Sequence, residues 1–108
     1  MIQIKNLINI MEVIIKKSHK PDKKYDAIIN GKKTVSFGAK GMSDFTLHKD
    51  TERKARYINR HKNNENWTKS GIDTAGFYSR WVLWNKPTLQ ALVAVLNHKY
   101  SNVKFQIK

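Results

Sequence analysis

The sequence predicts an α+β domain: an antiparallel β-meander over about residues 11–38, then two or three helices and a C-terminal strand. Three observations predict it. Tyr25, Ala27 and Ile29 alternate with Asp26, Ile28 and Asn30 immediately before Asn30-Gly31, apolar residues recur at helical spacing through the second half, and alternation returns at Val103, Phe105 and Ile107. A chain of 108 residues is the size of one domain, so the prediction is a single domain over 1–108 with no repeat or low-complexity linker.

From Ile4, the residues Leu7, Ile8, Met11 and Ile14 recur at helical spacing, so residues 1–10 read as an N-terminal helix or arm leading into a strand that begins near Met11. The apolar run from Ile2 to Ile15 is interrupted by Lys5, Asn6, Asn9 and Glu12, and it has neither a basic n-region nor a small-residue cleavage site. It therefore reads as neither a signal peptide nor a membrane span, which needs about 20 apolar residues in a row. His19-Lys20-Pro21-Asp22-Lys23 carries the Pro and Asp of a tight turn. Asn30-Gly31 is a strong hairpin signal, and Lys33 to Phe37 supplies the return strand before Gly38-Ala39-Lys40-Gly41 ends the meander.

The second half reads as helical. Asp50 or Thr51 caps a helix running to about Lys62, with Ala55 and Ile58 on its inner face, and Asn63-Asn64-Glu65-Asn66 breaks it. Thr74 to Trp84 places Phe77, Trp81 and Trp84 at i, i+4 and i+7, an aromatic stripe expected to pack in the core. Trp67, in an irregular polar segment, is expected at the surface. Pro87 and Thr88 open a third helix with Leu89, Leu92, Val93, Leu96 and Tyr100 on one side.

Apolar residues make up 40% of the chain, including three Trp, four Tyr and four Phe, which is too much hydrophobic content for a disordered basic tail. Against that core stand 21 Lys plus Arg and 8 Asp plus Glu, a net charge of +13. The excess is spread along the whole chain, so it belongs to the folded surface. Such a surface attracts phosphate backbones, anionic lipid heads and acidic proteins through the same Coulomb attraction. There is no Cys, which excludes disulfides, thiolate metal sites and cysteine nucleophiles, and fits an intracellular site of folding.

At 100° per residue, Lys49, Arg53, Arg56 and Arg60 fall within roughly 60° of arc if the helix reaches back to Lys49. The planar fork of Arg suits phosphate oxygens, so this ridge reads as a polyanion contact, with a solvated helix face as the alternative. A second basic cluster, including Lys32, Lys33 and Lys40, surrounds the meander turns. It reads as a further anion contact or as a set of charged guards against edge-to-edge aggregation. Trp67, Trp81 and Trp84 have the chemistry to stack on unpaired bases, but the core placement of the stripe is favoured.

Catalytic signals are weak. His19, His48, His61 and His98 lack HxxxH or HExxH spacing, and neither GxxxxGK[ST] nor GxGxxG occurs. Asp22 with Glu52, Arg53 and Lys54 superficially resembles the acidic pair and lysine of a metal-dependent nuclease, but one acid lies in a turn and the other in the first turn of a helix. No catalytic residue, metal ligand or cofactor is expected.

The blocks GKKTVSFGAKG (31–41), SDFTLHKDTERKARYINRHKNNENW (43–67) and TAGFYSRWVLWNKPTL (74–89) resemble a family of small uncharacterised basic proteins of nucleocytoplasmic large DNA viruses, the giant viruses and their relatives. The resemblance covers residues 20–90 and carries over no site residue. It implies a viral setting: a virion component, made inside the infected cell, or a factor working on viral DNA.

Taken together, these readings predict a non-enzymatic basic virion protein that binds viral DNA with low sequence specificity, or an acidic capsid partner. The expected contacts are Lys49, Arg53, Arg56, Arg60, Lys32, Lys33 and Lys40. The alternative is a minor capsid or cement protein seated between capsid subunits, with the metal-dependent nuclease a more distant one.

Overall fold

Asn30 and Gly31 take up left-handed backbone, φ 52° and 68°, and so close a tight hairpin between two strands whose right-handed twist this turn matches. The computed structural model describes residues 11–108; the expected helix or arm over residues 1–10 lies outside them. Strands β1 (Met11–Lys17), β2 (Lys23–Ile29) and β3 (Lys33–Ala39) form the antiparallel meander, with Val13 opposite Ile29 and Tyr25 opposite Phe37. A short helix α1 (Phe45–His48) and helix α2 (Thr51–His61) follow. Next come a single 3₁₀ turn (Lys69–Gly71) and α3, which starts as α-helix (Ala75–Tyr78) and continues as π-helix (Ser79–Leu83). Helix α4 (Leu89–Lys99) and strand β4 (Val103–Ile107) complete the chain.

The closing strand pairs in parallel with β1, giving a mixed sheet in the order β3-β2-β1-β4. The α+β class and the layout read from the sequence are those of the fold. The helical half is the crossover that a parallel pair requires, and it covers one sheet face. Alternation sends Val13, Ile15, Ala27, Ile29, Phe37, Val103 and Phe105 into one core with Phe77, Tyr78, Val82, Leu83, Leu92 and Leu96. Asn97 on α4 accepts from the Phe105 N–H at 2.7 Å and donates to the Phe105 carbonyl at 3.1 Å, so a side chain satisfies backbone groups of the edge strand β4.

Three helical details differ from expectation. The side chain of Asp50 caps α2 by accepting from the Glu52 and Arg53 N–H groups, but the inward face is set by Tyr57, with Lys54 and Ile58 half-buried, while Ala55 is exposed. Within α3 the widened π turn, sealed by Trp84 N–H to the Ser79 carbonyl at 3.1 Å, breaks the 3.6-residue period. The expected stripe therefore splits: Phe77 is fully buried with Tyr78, Val82 and Leu83, whereas Trp81 and Trp84 are half-buried at the rim of the core. Trp67 is also half-buried; its ring stacks on Tyr57 and the Arg80 guanidinium lies over it.

Candidate polyanion-binding surface and adjoining cleft

Helix α2 carries Arg53, Arg56 and Arg60 on its outward side, all exposed and none in a salt bridge among the described residues. Lys49 does not extend this row. It is the left-handed residue (φ 55°) that ends α1, one position before the cap of α2, and its Nζ donates to the Thr46 carbonyl at 3.1 Å. A helix reaching back to Lys49 is ruled out by that chain reversal. Three arginines remain, within roughly 60° of arc.

The meander lysines do not join the ridge as one face. Lys32 and Lys33 lie at the β2–β3 turn, where Lys33 pairs with Asp73 at 3.2 Å. Lys40 follows the other end of β3, about 20 Å away at 3.3 Å per residue. There Lys40 lines a shallow concavity of about 300 Å³ with Lys17, Lys24 and Leu47. Met42 and Leu47, both 65% exposed, stand beside these lysines.

Most described acids are engaged within the fold. Asp50 is occupied as a helix cap, Asp44 pairs with Lys24, Glu65 with His61 at 3.2 Å and Asp73 with Lys33. Asp26, 1% exposed, accepts from the hydroxyls of Ser18 at 2.6 Å and Ser36 at 2.7 Å, from the His19 N–H at 3.1 Å, and meets the His19 imidazole through Nδ1. Burial pushes its carboxyl up, but these hydrogen bonds outweigh burial and hold it well below the ordinary aspartate range. The sequence places Asp26 on the polar side of an alternating strand, and nothing in that pattern signals its burial.

Behind the ridge, α2 leans on α3 through aromatic rings. Tyr57 and Trp84 stack at 4.5 Å, and His61 approaches the Tyr57 ring at 4.4 Å. Where α3 ends, Lys54 donates to the Asn85 carbonyl at 2.7 Å and Arg80 to the Trp84 carbonyl at 2.7 Å. Two cations thus satisfy the electronegative end of a helix. Burial, then the nearby Arg80 and Lys86, lowers the Lys54 ammonium pKa from its ordinary value.

Between α2, the start of α3 and the end of β3 lies a cleft of about 480 Å³, walled by Tyr57, Trp84 and Leu83 and floored near Gly38 and Gly76. A Cβ added at Gly76 would meet Glu65 Oε2 at 2.7 Å, the end of a flexible side chain that would have to swing aside. Arg60 lines this cleft and also ends the ridge. The sequence reading missed the cleft because its walls come from three elements far apart in the chain. Among the described residues no three His, Asp or Glu side chains gather as metal ligands; Asp22 sits in the β1–β2 turn and Glu52 in the first turn of α2. Nor is any described helix long and apolar enough to cross a membrane.

Among known families, residues 13–61 match one described as a family of unknown function (DUF5754). The matched segment takes in the meander, α1 and the arginine ridge, and stops before the α3 wall of the cleft. No curated protein and no solved structure matches the chain.

Proposed function

We propose that this protein is a non-enzymatic polyanion-binding protein whose primary contact is the α2 ridge of Arg53, Arg56 and Arg60, with nucleic acid as the polyanion. One observation carries the reading: the fold uses Asp26, Asp44, Asp50, Glu65 and Asp73 for internal pairing and capping, and leaves these three arginines exposed and outside every described salt bridge. Uncompensated guanidinium groups one helical turn apart suit a run of phosphates, because each offers a planar pair of donors. Phosphate contacts fix position without reading bases, so binding is of low sequence specificity. Lys40 extends the basic surface at the α2 end of the sheet, while Lys32 and Lys33 form a separate basic tip. The resemblance to proteins of large DNA viruses supports viral DNA as the partner and the virion as the location.

The test is a salt titration of duplex DNA affinity. Log affinity against log salt should fall with a slope of about −0.9 per phosphate engaged, with unrelated sequences bound alike. A flat salt dependence or strong sequence selectivity counts against the reading. Supercoiled plasmid incubated with Mg²⁺ or Mn²⁺ should stay intact; nicking that is lost in Asp22→Asn or Glu52→Gln would make the protein an enzyme.

A second reading, a minor capsid or cement protein, is favoured by Met42 and Leu47, since exposed aliphatic side chains beside Lys40 and Lys17 suit an acidic protein neighbour better than a phosphate backbone.

A further inference from the structure

We infer that the concavity between the end of β1, the start of β2 and α1 seats an acidic protein segment, which lays carboxylates on Lys17 and Lys40 and sets one aliphatic side chain against Leu47. The inference rests on the second reading above and names the site and the chemistry of its partner. Its basis is how firmly the fold holds the rim of the concavity. Lys24, its side chain 13% exposed, donates to the Met42 carbonyl and pairs with Asp44, whose carboxylate also accepts from the Thr46 hydroxyl. Asp44 is itself 2% exposed, and its carbonyl accepts from the Leu47 N–H at 3.0 Å. A buried ion pair adds little net stability, and its best-attested use is to fix register. The residues it fixes here are flanked in the chain by Met42 and Leu47, each 65% exposed. Two large aliphatic side chains are thus held out to water on a pinned backbone, which lowers the ordering cost for a partner that covers them.

Charge and shape together select the partner. Lys17, Lys24 and Lys40 line the concavity against a single acid, Asp44, and Lys24 offsets that acid. Lys17 and Lys40 are exposed and outside every described salt bridge, so the lining is left cationic. The exposed Asp22, whose carbonyl accepts from the Lys40 N–H at 3.0 Å, is not part of that lining. Tyr25, Thr46 and Leu47 complete it, and its volume of about 300 Å³ is at the lower end of ligand sites, enough for one side chain. A phosphate backbone would use the lysines and leave Met42 and Leu47 uncovered. An anionic bilayer offers both charge and hydrocarbon, but a flat surface leaves the concavity unfilled. A protein segment with carboxylates on both sides of one aliphatic residue meets the lysines, covers the exposed side chains and fills the space.

The full chain is titrated, by fluorescence anisotropy, with two labelled heptapeptides: Glu-Asp-Glu-Leu-Glu-Asp-Glu and the same peptide with serine in place of leucine. The leucine peptide should bind about tenfold more tightly, the scale of burying one aliphatic side chain, and both should weaken as salt rises. Leu47→Ser, a change at an exposed position, should erase the leucine preference while the melting temperature stays. Lys17→Glu combined with Lys40→Glu should abolish binding of both peptides. Equal binding of the two peptides by the wild-type chain, or a leucine preference that survives in Leu47→Ser, overturns the site and leaves the acidic-neighbour reading standing. Binding of neither peptide overturns both. Co-sedimentation with phosphatidylserine vesicles that is lost in Leu47→Ser, with neither peptide bound, would give the surface to a membrane and overturn the proposal. The wild-type comparison of the two peptides decides the matter even if a variant fails to fold.

Discussion

Tyr57 and Trp84 lie with their rings 4.5 Å apart and within 3° of parallel, which makes this pair the contact through which the basic helix is held on the core. Helix α2 otherwise buries little, since Tyr57 is its one fully buried side chain. Trp84→Ala should therefore cost about 2–4 kcal/mol, somewhat below the usual range for emptying a buried aromatic because Trp84 is half-buried. Urea unfolding measures the loss. A double-mutant cycle with Tyr57→Ala should give a coupling of about 0.5–1.5 kcal/mol; additive costs would mean that the rings are merely neighbours.

Asp26 sets the response to acid. Its folded pKa is depressed, so its contribution to stability is complete above the unfolded value near 4 and is lost as pH falls below that. Asp26→Asn should cost about 2–3 kcal/mol at pH 7, the scale of charge-assisted hydrogen bonds, and much less at pH 2. Chemical denaturation of both proteins at the two pH values reads the difference. A constant gap would show that the carboxylate charge is irrelevant and only its shape matters.

The ridge and the fold should separate cleanly. Arg53→Ala combined with Arg60→Ala should leave the melting temperature within a degree or two and lower the DNA salt slope by about 2, roughly one unit per phosphate contact removed. Lys32→Ala with Lys33→Ala, at the other end of β3, should change the slope less. Equal effects from both pairs would mean a diffuse electrostatic surface without a defined ridge.

Two glycines with positive φ make a controlled comparison. At Gly31 (φ 68°) an added Cβ meets nothing within 4 Å, so Gly31→Ala should cost only the left-handed backbone strain, about 1–2 kcal/mol. At Gly38 (φ 77°) the Cβ would sit 2.9 Å from Leu83 Cδ1 and 3.2 Å from Lys24 Cβ. Gly38→Ala should thus cost more than Gly31→Ala in urea unfolding, and equal costs would show that Leu83 gives way freely.

What was legible in the sequence was what rests on local chemistry. Asn30-Gly31, the alternation of Tyr25, Ala27 and Ile29, the Asp50 and Thr88 caps and the closing Val103-Phe105 strand all announce themselves within a few residues. The parallel pairing of β4 with β1 did not, because register between distant segments leaves no local mark. The Trp81 and Trp84 stripe was misjudged because a single π turn rotates everything after Ser79, and a periodicity count assumes a constant 3.6. Of the candidate site, the row Arg53, Arg56 and Arg60 was legible from spacing alone. Lys49 fell away to a backbone reversal, and the cleft was invisible until β3, α2 and α3 were brought together.

The pairing of β4 with β1 also puts an order in time on the chain. During synthesis the meander emerges first, but the second edge of β1 stays open until the whole helical half and Val103–Ile107 have followed. At about 5–20 residues per second, that interval lasts several seconds, during which Val13 and Ile15 face a growing chain without their partners Phe105 and Ile107. Lys16 and Lys17, both exposed at the end of that same strand, put like charge beside the waiting edge, the kind of residue that guards an open strand against pairing with a second copy.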